Sequence, residues 1–288
     1  MARAQLLTAG PTRRGALAGG VAAALAGTAR ASSPGLRFSG QFMQGGTVIG
    51  RTAPRASVLV NGADMGPASV DGLFVVGFDR DAPDTADIRT RTAAGVAQHM
   101  AQIAKGDFDV QHINGLAQDQ VEPSDPALLA RIAREIQRKN VGFASRVDTD
   151  DFRGGFSLPL QAYRLSARFG GQRVLNGVPK RPHYGTDLAA PIGTPVLAPG
   201  PGLISFAETG LHFEGSLIMI DHGQGLISMY LHLSKVNVSA GQKVQQGQLI
   251  GLVGMEGRAT GPHLCWRMWW RGQHLDPMLL VGVSAPAV

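Results

Sequence analysis

Five side chains in the C-terminal half of this sequence have types and spacings that could do chemistry together. His183 and Asp187 lie four residues apart in Pro182-His183-Tyr184-Gly185-Thr186-Asp187. Cys265, the only cysteine in 288 residues, follows His263 by two in Gly261-Pro262-His263-Leu264-Cys265-Trp266. Residues i and i+2 of a β-strand point to the same face, so His263 and Cys265 should project together. Imidazole, carboxylate and thiolate are all zinc ligands, and a catalytic zinc uses three protein ligands and keeps a fourth position open. His183, Asp187 and Cys265 would fill those three places with one Zn2+ ion. His232, in Tyr230-Leu231-His232-Leu233, and His263 are then left for proton transfer.

Taken singly, each feature is weak. A lone cysteine is most often a small buried hydrophobe, and a histidine four residues before an aspartate arises by chance. Their order along the chain is far more specific. It runs through Asn176-Gly177, the His183–Asp187 motif, Gly193-Thr194-Pro195-Val196 and Asp221-His222-Gly223. Beyond His232 it continues through Gly241-Gln242-Lys243-Val244, Gly247-Gln248, Gly257-Arg258-Ala259-Thr260-Gly261-Pro262-His263-Leu264 and Asp276-Pro277. Over roughly residues 165–280 this series resembles the lysostaphin-type, or LytM-type, zinc metalloendopeptidases that cut peptidoglycan.

The resemblance implies a compact antiparallel β domain with zinc at the floor of a groove, held by residues at the positions of His183, Asp187 and Cys265. It implies that His232 and His263 flank the metal as catalytic residues, and that the substrate is peptidoglycan, cut in its peptide cross-links or stems. The family usually closes with His-x-His, and here Cys265 stands in place of the second histidine. Arg173 and Asn176 before His183, and Arg258 and Thr260 before His263, are candidates to line the groove and bind substrate. The alternative reading is a non-catalytic LytM-type domain that binds zinc and regulates a cell-wall amidase or another division or remodelling protein, or binds the wall. His99, His112, His212 and His274 match no motif, and His222 belongs to a turn with a structural look.

These residues need a scaffold of short strands. Pro195-Val196-Leu197-Ala198, Gly202-Leu203-Ile204-Ser205-Phe206, Leu217-Ile218-Met219-Ile220 and residues 227–233 read as successive strands. Along the last of these, Ser228, Tyr230 and His232 should share one face, and Met229, Leu231 and Leu233 the apolar one. Upstream, Thr47-Val48-Ile49-Gly50, Ser57-Val58-Leu59-Val60 and Leu73-Phe74-Val75-Val76-Gly77-Phe78 are strands bounded by Gly45-Gly46, Asn61-Gly62 and Asp71-Gly72. Residues 93–113 suggest a strand pair around Lys105-Gly106-Asp107, with a helix over 94–104 as the alternative. Asp125 and Pro126 start a helix over 126–139. Leu128, Leu129, Ile132 and Ile136 form its apolar stripe, and Arg131, Arg134, Arg138 and Lys139 its solvated face.

The fold class expected is therefore mainly β. An export signal occupies 1–31, a small β-sandwich-like N-terminal domain 36–120, a helical connector 121–156, and the LytM-type peptidase domain with its zinc groove 157–288. In the leader, Arg13-Arg14 precede an apolar stretch over 16–26 and a small-residue cleavage site at Ala29-Arg30-Ala31. This is a secretory signal with a partial twin-arginine pattern, implying a periplasmic or cell-envelope location. The stretch is too short and glycine-rich for a membrane span, and no integral span is expected in the mature chain. The net charge of +6 owes much to that leader. Its four arginines removed, 23 basic residues face 21 acidic ones, and no basic-aromatic patch marks a nucleic-acid partner.

Cys265 should alter the chemistry in a definite direction. Two histidines and an aspartate leave zinc with one positive charge, whereas one histidine, an aspartate and a thiolate leave it formally neutral. Tighter metal binding and weaker acidification of bound water should follow, giving a slower hydrolase or an alkaline-shifted optimum. The Cys265→His variant should therefore hydrolyse faster than wild type near neutral pH. Equal or lower turnover in that variant contradicts the charge argument.

Overall fold

The glycine-punctuated N-terminal sequence forms two small antiparallel sheets in this computed structural model, which describes residues 35–287. The export segment expected over 1–31 lies outside the described residues. One sheet joins Arg37–Gly40, Thr47–Arg51 and Leu73–Gly77, and the other joins Ala63–Pro67, Ser57–Val60, Thr85–Thr92 and Gly95–Gln102 in that order. Val60 pairs with Ala63 across Asn61 and Gly62, whose φ angles of 50° and 82° give the mirror-image turn that suits strand twist. Val48, Phe74, Val76 and Ile88 fill the space between the sheets. The same buried cluster takes in Leu226, Met268, Trp270 and Leu275 from the C-terminal half. The described residues accordingly form one compact unit.

Residues 93–113 depart from expectation. Gly95–Gln102 is a strand and not a helix, and it pairs back onto Thr85–Thr92. No hairpin forms around Lys105. Instead Val110–Ile113 crosses to the C-terminal half and pairs in parallel with Gln172–Leu175. A parallel pair between segments about sixty residues apart leaves no local sequence signal.

The helix begins where its cap residue requires. The Asp125 carboxylate accepts from the backbone N–H groups of Ala127 and Leu128, and Pro126 opens the first turn. It extends to Phe143, four residues beyond the expected end, and it docks on a different face. Ile132, Glu135, Lys139 and Gly142 are its buried residues, while Leu129 and Ile136 are exposed. Of the expected solvated face, Arg131, Arg134 and Arg138 are exposed and Lys139 is buried; Arg131 pairs with Glu135, Arg138 with Glu208, and Lys139 with Glu214. Gly142 lets the last turn approach the sheet, because a Cβ there would sit 2.8 Å from both Met219 Sδ and Phe206 Cβ. Charge complementarity to the sheet's edge thus overrode the apolar stripe.

The C-terminal half is built on one long antiparallel sheet. Its order is Lys243–Val244, Gly202–Leu211, Gly215–Asp221, Leu226–Leu231, His263–Trp270, Thr186–Ala189 and Arg164–Ala167. Both faces are covered at its centre, so Gly215–Asp221 and Leu226–Leu231 are buried along their whole length instead of alternating. On one face, Leu188, Tyr230, Leu264 and Trp266 pack against Val196, Ile250 and Val253 of a second, three-stranded sheet. On the other, Phe206, Met219, Met229, Leu231 and Cys265 form a separate cluster closed by Phe143 of the helix.

Lys139 ties this helix to the loop that holds His232, because the Glu214 carbonyl accepts the His232 N–H. Lys139→Met would leave a half-buried carboxylate without its cation. It should lower stability by about 2 kcal/mol. Arg138→Ala, at an exposed pair, should cost under about 1 kcal/mol. Urea unfolding of both variants checks the ranking, and equal losses would contradict it.

Candidate active site

Strand register brings the ligand candidates together. Asp187 on Thr186–Ala189 stands directly opposite Cys265, and Cys265 stands opposite Leu231 on its other side. His183 sits in the loop leading into the Asp187 strand. Its backbone is fixed at both ends, with N–H donating to the Gly171 carbonyl and its own carbonyl accepting from Gly170. Gly185 between them admits no side chain, since a Cβ would lie 3.0 Å from Cys265 Sγ and 2.6 Å from Arg267 Cγ.

One ligand atom from each of His183, Asp187 and Cys265 lies within 4.8 Å of the others, and all three residues are buried. His183 Nε2 is 3.4 Å from Cys265 Sγ and 3.1 Å from Asp187 Oδ1. That last approach lacks hydrogen-bond geometry, and Asp187 Oδ1 has no donor. An unsatisfied buried carboxylate oxygen costs a few kcal/mol, which a cation would relieve. A nitrogen, an oxygen and a sulfur converging on one point fit a zinc ion.

His232 reaches the site by a break in its strand. Its φ of 65° ends the alternation after Leu231. Ser228 and Tyr230 therefore stay on the opposite face, hydrogen-bonded to each other at 2.7 Å, and His232 does not share it as expected. The His232 ring lies 4.8 Å from that of His263, centroid to centroid. His232 Nδ1 is 2.7 Å from the Glu256 carbonyl and His263 Nδ1 is 2.8 Å from the Gly261 carbonyl. A carbonyl can only accept, so each Nδ1 carries the hydrogen and each Nε2 keeps a lone pair. Burial pushes His232 down to about 4, and burial likewise lowers His263 against the opposing charge of Asp187. Both imidazoles are neutral at pH 7. Burial works to raise the Asp187 carboxyl, but His183, His263 and Arg173 outweigh it and hold the group well below the usual carboxylate range.

Three arginines surround these groups. Arg173 Nη2 donates to Asp187 Oδ2 at 3.0 Å, and Arg267 Nε donates to Cys265 Sγ at 3.3 Å. Arg258 donates to the Gln120 carbonyl and lies over the Phe213 ring. A groove of about 530 Å³ runs past Asp187 and His263 between Gln111, His112, Arg164 and Arg173. A narrow cavity joins Asp187, His232 and His263 to Leu116, Arg258 and Thr260. Asn176 lines neither. It forms the hairpin turn after Gln172–Leu175 at φ 47° and exchanges two hydrogen bonds with Leu116.

Sequence reasoning missed Arg267, although its spacing of two from Cys265 on one strand could have found it. His112 and Leu116 carried no such signal, because only the long-range parallel pairing brings them to the groove. The remaining histidines lie apart from the ligand cluster. His222 is buried between the Pro201 carbonyl and Ser228 Oγ, His212 contacts the Asp119 carbonyl, and His274 pairs with Asp79.

The chain is mostly β, with a buried His-Asp-Cys cluster beside two neutral histidines. Residues 181–277 match Peptidase family M23, and the chain carries a domain of that family. Over 118 residues it is 45% identical to the peptidoglycan DD-endopeptidase ShyA of Vibrio cholerae, covering 40% of this chain and 27% of that protein. It is 39% identical over 135 residues to the DD-carboxypeptidase/endopeptidase Mpg of Neisseria meningitidis, covering 46% and 30% respectively. The match thus spans under a third of the length of these curated relatives. A crystal structure from Pseudomonas aeruginosa described as a peptidase M23 superposes with a TM-score of 0.65 at 27% identity, over 84% of this chain and 96% of that one.

The buried histidines should make stability depend on pH. His222, like His232, is pushed down to about 4 by burial, whereas an unfolded histidine titrates near 6.5. Between those values the unfolded chain binds protons that the folded chain refuses. Their contribution is fully present above pH 6.5 and is lost as pH falls through about 4. Thermal unfolding in chelator should show a falling midpoint over that window, with a shallower slope in His222→Gln. A flat profile would contradict the assignment.

Proposed function

We propose that this chain is an exported, zinc-dependent endopeptidase that hydrolyses peptide bonds in peptidoglycan cross-links or stems. The observation that carries this reading is the convergence of His183, Asp187 and Cys265 beside His232 and His263, with Asp187 and His263 lining the groove. The M23 domain and the names of its relatives support peptidoglycan as the substrate. The arginine-led apolar leader supports delivery to the periplasm or cell envelope. No helix among the described residues is long and apolar enough to cross a membrane.

In this mechanism His183, Asp187 and Cys265 would hold the zinc, which would supply Lewis acidity and lower the pKa of water. The protein's own part is proton handling and positioning. Each Nε2 of His232 and His263 can only accept while the ring is neutral, because Nδ1–H is committed to a backbone carbonyl. The histidine that takes a proton from water at Nε2 is therefore the one able to pass it to the leaving amine. The other imidazole orients water through the same kind of lone pair. Burial keeps both rings neutral and ready to accept at pH 7.

Digestion of purified sacculi by zinc-loaded protein should convert cross-linked fragments to uncross-linked ones, and a chelator should abolish the conversion. His232→Ala and His263→Ala should each lower the rate at least 100-fold while keeping one zinc per chain, whereas Cys265→Ala should lose metal. Bound zinc with no cleavage would replace this reading with that of a metal-stabilised domain acting on a wall amidase or on the wall.

A further inference from the structure

A further cavity shares Arg173 with the main groove. It has a volume of about 330 Å³, and Arg173, Lys180, Arg181, Arg258 and Arg267 line it together with His183. No acidic side chain lines it. Of the acids around it, Asp187 pairs with Arg173, Glu122 with Lys180 and Asp79 with His274, while Glu214, paired with Lys139, offsets part of the charge of Arg258 and Arg267 from outside the lining. Among the described residues, neither Arg181 nor Arg258 has a carboxylate partner.

Arg258 is the informative member. It is partly buried, the one side-chain hydrogen bond it makes among the described residues is to the Gln120 carbonyl at 3.3 Å, and its guanidinium is 4.9 Å from the Phe213 ring centroid. Burial and then the charges of Arg173 and Arg267 push it down to about 10. Arg173 Nε, nearby, is buried with no hydrogen-bond partner. Placing like charges together at a half-buried cavity is unfavourable unless an anion completes the site. Planar guanidinium groups match a carboxylate with paired hydrogen bonds.

Arg258 also lines the narrow cavity that contains Asp187, His232 and His263. A group bound to it is therefore within a residue or so of the reacting centre. We propose that this cavity is a subsite for a free carboxylate of the substrate, with Arg258 as its main contact and Arg181 at its rim. The enzyme would then select peptides that carry an unamidated carboxylate beside the scissile bond. This inference rests on the endopeptidase reading for its substrate, though not for its binding chemistry.

The test is calorimetric titration of the full chain with acetyl-D-alanyl-D-alanine and with its C-terminal carboxamide. Both are measured first in chelator, so that no metal can act as the carboxylate acceptor, and then with zinc. The acid should bind at least ~10-fold more tightly than the amide, a ratio worth ~1.4 kcal/mol. Arg258→Gln should bring the ratio below ~3-fold, and Arg258→Lys should restore part of it. Arg181→Gln, at the exposed rim, provides a second variant that does not disturb packing and should lower the ratio about 2-fold. Equal affinities, no measurable binding of the acid, or an unchanged ratio in Arg258→Gln overturns the subsite. Neither titration requires turnover. Discrimination without cleavage of sacculi would retire the endopeptidase reading and keep the subsite, and cleavage without discrimination would do the reverse.

Discussion

Asp187 faces Cys265 across a pair of antiparallel strands, and that register is the constraint on which the site depends. It is not set by the polar residues themselves. Leu188, Leu264, Trp266 and Tyr230 point to the opposite face and are buried there among Val196, Ile250 and Val253. A slip of one residue would turn these large side chains out of their cluster and put Asp187 into it. Fully burying side chains of that size is worth roughly 1.5–3 kcal/mol each, so the apolar face dictates where the ligands stand. The second cluster, which contains Cys265 itself, then closes the ligand face under the helix.

Electrostatics build on that frame. A carboxylate, a thiol, three histidines and three arginines share a small buried volume, an arrangement with a high desolvation cost. Its parts offset one another. Arg173 answers Asp187, Arg267 reaches Cys265, and backbone carbonyls take the Nδ1–H of both His232 and His263. Those carbonyls also fix which ring nitrogen is available. The turn at His232 that makes this possible needs a left-handed residue, a conformation that is strained for histidine and held by its N–H bond to the Glu214 carbonyl.

The N-terminal half contributes walls as well as bulk. Val110–Ile113 adds a strand to the hairpin that carries Arg173, and Asn176 at that hairpin's tip clasps Leu116. The cleft on one side of the metal candidates is thus assembled from segments more than fifty residues apart. Arg258 is steadied in the same way, through the carbonyl of Gln120. Changes in residues 110–121 therefore act on the shape of the cleft and not only on the stability of a remote domain.

Much of this was legible in the sequence. The strands over 47–50, 57–60 and 73–78 were read from apolar runs bounded by glycine turns and the helix start from Asp125-Pro126, and residue types in a recognisable order singled out His183, Asp187 and Cys265, which the fold brings together. These are local properties, governed by backbone sterics and side-chain chemistry that a short window contains. The direction in which the helix docks, the face on which His232 lies, the partner of Val110–Ile113 and the grouping of Arg173, Arg258 and Arg267 were decided only by the tertiary structure. Each depends on which distant surface a segment meets. Lys139 buries once Glu214 is opposite it, and arginines far apart in sequence become one cationic cavity only after the sheet has set its register.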